Sequence, residues 1–310
     1  MIRKTPHVDL ERIAPTAKLV YAGPFDRAHL DFSVVPYRGA DRVIQEVIQS
    51  TSQKWSEIQD DGKPRFSDFN TCGLQNIRCE AGGKTDFEVV FYPYYVKLAE
   101  RGKDVDDEDH LNWIRKQLDK AGPANFDREI TYPFSCALLV KSVDGESFIL
   151  QQRSSKSAQN VGRITSSVAT NFDEKDVKGG KLDLLKGAVR GLLLQRGVIE
   201  HEVACITSAL VAYEAELGEF VYVALARTSL SAQELLARGS GAWNRGNIER
   251  QVLVGLNEVN TQLLSELSAN MTPFARIALW AGLRDSDRGM EFLGKLVDTD
   301  LKGAAGRQDI

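Results

Sequence analysis

The chain has 310 residues, 43% of them hydrophobic and 26% charged, with a formal net charge of −4 at pH 7. That is globular composition, which excludes wholesale disorder and a membrane-embedded bundle. The mild acidity excludes general nucleic-acid binding, which needs a basic face, but leaves room for a small basic pocket. The opening MIRKTPHVDLERIAP has no apolar run behind its basic residues, and no stretch approaches the roughly 18 apolar residues of a membrane span. The expected location is the cytoplasm, without membrane attachment.

Residues 1 to about 40 mix Pro, Gly and short apolar runs, and read as loops with one edge strand. In DRVIQEVIQSTSQKWSEIQ, Ile44, Val47, Ile48, Thr51, Trp55 and Ile58 recur at helical spacing, which predicts an amphipathic helix. GLQNIRCE and DFEVVFYPYY, joined by Ala81-Gly82-Gly83-Lys84-Thr85, predict a hairpin. DDEDHLNWIRKQLDKAG predicts a second helix. Its acidic start and its Lys116 and Lys120 complement the helix dipole, so the acidic run at 106–109 has a structural explanation. Gly122-Pro123 closes the helix, and a domain boundary is expected near residues 122–130.

The second part opens with YPFSCALLVKSVDGESFILQQR, two apolar runs around Asp144-Gly145, the strongest hairpin signal in the chain. ITSSVAT at 164–170 reads as one short strand. DEKDVKGGK leads into LDLLKGAVRGLLLQRGV, a helix closed by Gly197, which suits a left-handed C-terminal cap. VACITSALVAYE and FVYVALAR read as strands, SAQELLARG as a short helix and ERQVLVGLN as a strand. A final helical pair is interrupted near Pro273, and the tail from Lys302 reads as mobile.

Cys72, Cys79, Cys136 and Cys205 form no C-x-x-C pair, and the four histidines are scattered. A zinc site needs clustered ligands, so the thiols read as buried and free, and no metal site is expected. Gly83-Lys84-Thr85 and Gly179-Gly180-Lys181 both fail as phosphate-binding loops: Arg78 stands where the first needs glycine, and Leu182 where the second needs Ser or Thr. Ser166-Ser167 lacks a nearby histidine, and no G-x-S-x-G, H-E-x-x-H or G-x-G-x-x-G is present.

The order hairpin, short strand, loop, helix and further strands resembles the Nudix fold, most specifically over residues 148–198. The Nudix box is written Gly-x5-Glu-x7-Arg-Glu-U-x-Glu-Glu-x-Gly-U, with U apolar. Aligned on its end, Arg190, Leu192, Gly197 and Val198 match. Gly191, Leu194 and Gln195 stand at the three helix glutamates, Leu182 at the earlier Glu and Asp176 at the first Gly; an insertion around 178–181 would shift the last two. KWSEIQDDGKPRFSDFNTCGLQNI and PFARIALWAGL resemble the leader domain and closing helix of larger Nudix proteins. The resemblance implies an α/β fold of α+β type. A smaller α+β leader domain at 1–128 precedes a Nudix-like α/β/α sandwich with a mixed sheet at 129–300, and 301–310 form a mobile tail.

Family members use Mg²⁺ held by carboxylates to cleave a nucleoside diphosphate linked to another group. Here positions 191, 194 and 195 share one helix face and carry no charge. Three readings stay open. In the first, the protein binds a nucleotide-type ligand or a protein partner without hydrolysis, as a pseudoenzyme with no resident cofactor. In the second, it is a Mg²⁺-dependent hydrolase with relocated carboxylates. In the third, it is an assembly subunit, including a homo-oligomer, that uses the apolar helix face. The candidate ligand-binding residues are Arg153, Arg163 and Arg190, whose forks suit a diphosphate, with Glu174 and Glu216. For Arg190 an internal ion pair with Asp183 or Glu174 is the structural alternative. Leu185, Ala188 and Leu192 are expected to face the core, and Leu194 to dry the former metal face.

Overall fold

A computed structural model describes residues 8–22, 25, 26, 28–37, 70–79, 83–93, 131–155, 160–215, 218–240, 248–257 and 259–305. The helices expected at 41–59 and 106–122, the domain boundary near 122–130 and the far end of the tail lie outside these residues. The strands are β1 (Ala17–Tyr21), β2 (Leu30–Val34), β3 (Asn70–Cys79), β4 (Thr85–Pro93), β5 (Tyr132–Lys141), β6 (Ser147–Arg153), β7 (Ile164–Thr165), β8 (Val168–Asn171), β9 (Val177–Lys178), β10 (Lys181–Leu182), β11 (Val203–Glu214), β12 (Glu219–Thr228) and β13 (Ile248–Gly255). The helices are α1 (Leu10–Ile13), α2 (Leu184–Arg196), α3 (Ala232–Ser240), α4 (Thr261–Asn270), α5 (Pro273–Leu283) and α6 (Asp287–Ala305).

The sheet is mixed. Its main path runs β1-β11-β12-β5-β3-β4-β2-β10-β9. β5 and β12 pair in parallel from Phe134↔Phe220 to Lys141↔Arg227, while β11–β12 and β3–β4 are antiparallel hairpins. β5 organises the whole: its other edge meets β3 at Tyr132 and Pro133, β8 from Ser135 to Leu138, and β6 at Val140 and Lys141. Gly145, at φ 73°, makes the expected tight turn, yet the two apolar runs around it pair over only two residues before β6 diverges to join β13.

Ser166-Ser167 produces that split. The run read as one strand is two, β7 and β8, broken at the serines. The Ser167 hydroxyl accepts from Val140 N at 2.8 Å and donates to Ile149 O. It thus satisfies main-chain groups that β5 and β6 would otherwise offer each other.

Alternation along the strands places a core on each face. Ala137, Leu139, Leu210, Ala212, Val221 and Val223 pack against α1, α4, α5 and α6. Phe134, Cys136, Leu138, Val211, Tyr222 and Ala224 pack against α2 and α3. This is an α/β/α arrangement, and each fully buried Leu or Val contributes roughly 1.5–3 kcal/mol of transfer free energy.

Two expectations change. The N-terminal segment expected as loops with one edge strand supplies two strands: β1 lies on the edge beside β11, but β2 lies inside the sheet, parallel to β4 and antiparallel to β10. Strands before and after the expected boundary therefore share one sheet path. At the other end, α6 continues to Ala305, so residues 301–305 are helical. Arg276 of α5 holds the last turns through Asp300, with Nη1 to Oδ2 at 2.6 Å. No helix among the described residues is long and apolar enough to cross a membrane.

Candidate functional site

The helix that resembles the box forms because both its ends are capped. Asp183, extended at φ −92° and ψ 98°, accepts from Lys186 N at 3.0 Å. Gly197, left-handed at φ 62°, sends its N–H to Leu193 O at 2.9 Å; a residue with a Cβ is strained there. The approach is set from the N-terminal strands: β10 pairs with β2 at Lys181↔Ser33, and Val34 N donates to Gly180 O at 2.9 Å.

Along β8 the helix is joined to the strand by side chains. Arg190 makes a fork on Asp176, Nε to Oδ1 at 3.0 Å and Nη2 to Oδ2 at 2.7 Å, and Nη2 also donates to Asn171 O at 2.7 Å. Gln195 accepts from Ala169 N at 3.1 Å and donates to Ala169 O at 2.6 Å, as a neighbouring strand would. Arg196 donates through Nε to Ser167 O at 2.7 Å and through Nη1 to Gln251 Oε1. Two glycines permit the approach. A Cβ on Gly187 would lie 2.5 Å from the Phe172 ring, and one on Gly191 would lie 2.9 Å from Val168 and Thr170 side-chain carbons.

The two arginines differ electrostatically. Burial works against the Arg190 charge, but the hydrogen bond and charge of Asp176, with Asp173, outweigh it and hold its pKa above the ordinary value. Arg196 is wholly buried and its partners are neutral oxygens, so burial pushes its pKa down to about 9.

The internal ion pair expected for Arg190 exists, but its partner is Asp176 rather than Asp183 or Glu174. Asp176 is fully buried and also accepts from Asp173 N at 2.8 Å. Glu174 is exposed and accepts from Asn70 Nδ2 at 2.7 Å. Arg153 and Arg163 come together through their main chains, Arg153 N donating to Arg163 O at 2.9 Å, and the Arg163 guanidinium donates to Met271 O at 3.0 Å. Arg190 is bonded at the far end of β8 from Ser167. Glu216 lies outside the described residues. Asp176 with Arg190, Gln195 with Ala169, and Arg196 with Ser167 and Gln251 form three separate sets of bonds along the seam; the resemblance points to neither Arg196 nor Gln251, and it sets Asp176 at a glycine position although the Asp173-x-x-Asp176 spacing suits a capping box.

Burial corrects two further expectations. Ala188 and Leu192 face the core, but Leu185 is 44% exposed and Leu193 48% exposed; Leu194 is half-buried. Of the thiols, Cys72 and Cys136 are buried and free, and burial raises both pKa values, whereas Cys205 is exposed.

The positions that align with the box glutamates of the resembled family do not fit Mg²⁺. Gly191 and Leu194 offer no side-chain oxygen, and the Gln195 oxygen already accepts Ala169 N. No group of three His, Cys, Asp or Glu side chains among the described residues could hold a metal ion.

No family model matches the sequence, and no curated protein matches it. Among solved structures, the chain is similar to DR0079 from Deinococcus radiodurans, with a TM-score of 0.34 and 10% identity over 48% of this chain and 82% of that one. It is also similar to Tm1382, provisionally described as a Nudix hydrolase, with a TM-score of 0.31 and 12% identity over 67% of this chain and 95% of that one.

Proposed function

We propose that this is a Nudix-like protein whose box helix has become a structural element, and that it binds a nucleotide-type ligand without cleaving it through that helix. One observation carries the reading: Gly191 and Gln195, at positions where the box has glutamates, are both engaged with β8. A metal-assisted step needs several oxygen ligands converging on one ion. The nearby carboxylates are otherwise engaged, Asp176 with Arg190 and Glu174 with Asn70. Arg153 and Arg163, joined through their main chains, remain the candidates for holding a diphosphate, since a guanidinium fork matches its oxygens.

The test is a thermal-shift screen of nucleotide sugars, ADP-ribose, dinucleotides and cyclic nucleotides, with and without Mg²⁺, beside a hydrolysis assay on the same compounds. A ligand at a hundred times its dissociation constant adds about 2.7 kcal/mol of stability. A shift without turnover supports the reading. Turnover that chelation abolishes overturns it in favour of relocated carboxylates. The exposed Leu185 and Leu193 favour a second reading, assembly through α2. A dimer on gel filtration that Leu193→Glu dissociates would establish that one.

A further inference from the structure

A cavity of about 290 Å³ lies away from the β8 seam, between β2, β10 and the first turn of α2. Phe25, Leu30, Phe32, Leu182 and Leu184 give it apolar walls. Those walls are braced. Phe32 stacks on Phe87 and Phe134 at 4.8 and 5.7 Å, and Phe25 meets Tyr21 and Tyr222 edge-on at 5.3 and 5.9 Å.

The charged residues around the cavity are not equivalent. Asp26 accepts from Ala28 N, His29 N and the His29 ring, and Asp183 caps α2. Asp31 is buried and holds both Lys181 and Lys84. Lys178 stands directly opposite Lys181 across the β9–β10 turn, an arrangement of like charges that is unfavourable in a strand pair. Lys178 is exposed and has no ion-pair partner among the described residues. Among the described residues the aspartates have hydrogen-bond or ion-pair partners, Lys181 has its carboxylate, and Lys178 is the cation left beside the apolar chamber.

We infer that this cavity binds a small amphipathic anion, with an apolar body against Phe25 and Phe32 and one carboxylate or phosphate head on Lys178. The volume sits at the low end of ligand pockets, about 300 Å³, which suits a body of one or two rings or a short acyl chain and not an enclosed dinucleotide. The inference is independent of the nucleotide reading, because its residues are separate from Arg153, Arg163 and the helix positions Gly191, Leu194 and Gln195.

The test titrates the full chain with indole-3-acetate, phenyl phosphate and octanoate, and with neutral indole and octanol, by calorimetry. Saturable one-to-one binding of at least one anion is expected, with neutral analogues, Lys178→Gln and Lys178→Glu each weaker by roughly tenfold, the loss of one charge-assisted contact. Lys178 is exposed, so both variants should retain the wild-type melting temperature. Methyl NMR should show the shifts at Leu182, Leu184 and Leu185. Whether the carboxylate or the phosphate binds more tightly identifies the head. Absence of saturable binding by all three anions overturns the inference. So does binding that ignores both lysine variants, neutral analogues that bind as tightly, or methyl shifts elsewhere.

Discussion

On the side of α2 that faces β8 stand Gly187, Gly191, Arg190 and Gln195, all in contact with or hydrogen-bonded to the strand or the turn that follows it. On the side facing away stand Leu185 and Leu193, each nearly half exposed. The polar and small residues are thus the tightly packed ones, and two of the leucines are the loose ones. Helix amphipathicity normally predicts the reverse. The reason is that the seam is narrow: a helix that must approach a strand closely uses glycine for space, and uses side-chain amides and guanidinium groups to satisfy strand oxygens that a leucine would leave bare.

The largest effect is expected for Arg190→Met. It leaves the Asp176 carboxylate buried without its partner, and removing one member of a buried pair costs about 3–5 kcal/mol. Urea unfolding followed by circular dichroism should show a loss of that size; a loss below 1 kcal/mol, on the order of a surface pair, would mean that water reaches Asp176. Gly191→Glu comes next. The new Cβ meets Val168 and Thr170, and overpacking of this kind costs about 1–3 kcal/mol, partly offset by the roughly 1 kcal/mol gain in helix propensity over glycine. A net fall in melting temperature is expected, and a rise would show that the seam is slack. Leu193→Glu tests the outward side of the helix. As an exposed change it should stay within about 0.5 kcal/mol by the same urea assay, provided nothing covers the helix.

The smallest effect is on pH dependence. Although burial opposes it, Lys181, the Phe32 N–H and Lys84 together hold the Asp31 carboxyl below its ordinary pKa. A carboxylate lower in the folded than in the unfolded chain stabilises fully above the unfolded value, about 3.9, and that contribution disappears as pH falls through the folded value. Asp31→Asn should therefore lower stability at pH 7 and bring the variant and wild-type curves together in acid. Parallel curves down to pH 2 would show that Asp31 is not the titrating partner.

Much of the fold was legible because its signals are local. Asp144-Gly145 marks a turn, Gly197 a helix end, and the runs in 203–228 are apolar almost without a break, as strands covered on both faces are. The features missed depend on residues distant in sequence or on glycines and turns that break a local pattern. Nothing near Ser167 announces that its hydroxyl will separate β5 from β6, because the groups it serves are Val140 N and Ile149 O. Helix α6 escaped notice because Gly289 and Gly294 interrupt a run whose Met290, Leu293, Leu296 and Val297 are buried at helical spacing. For the site, Gly191, Leu194 and Gln195 are uncharged in the sequence itself, but nothing local announces that Gln195 holds both main-chain groups of Ala169. Asp176 was placed by spacing at a glycine position, whereas the 3₁₀ turn at Glu174–Asp176 brings its carboxylate to Arg190.

The position of β2 between β4 and β10 has a practical consequence for handling the protein. A fragment beginning at residue 129 would keep α2 and its seam but lose the partners of β5, β10 and β11 at once. Each would then present unpaired main-chain groups to any passing chain, the usual route to edge-to-edge aggregation. A shortened fragment of this kind should go to inclusion bodies on expression, and co-expressing residues 1–128 as a separate polypeptide is the natural way to rescue it.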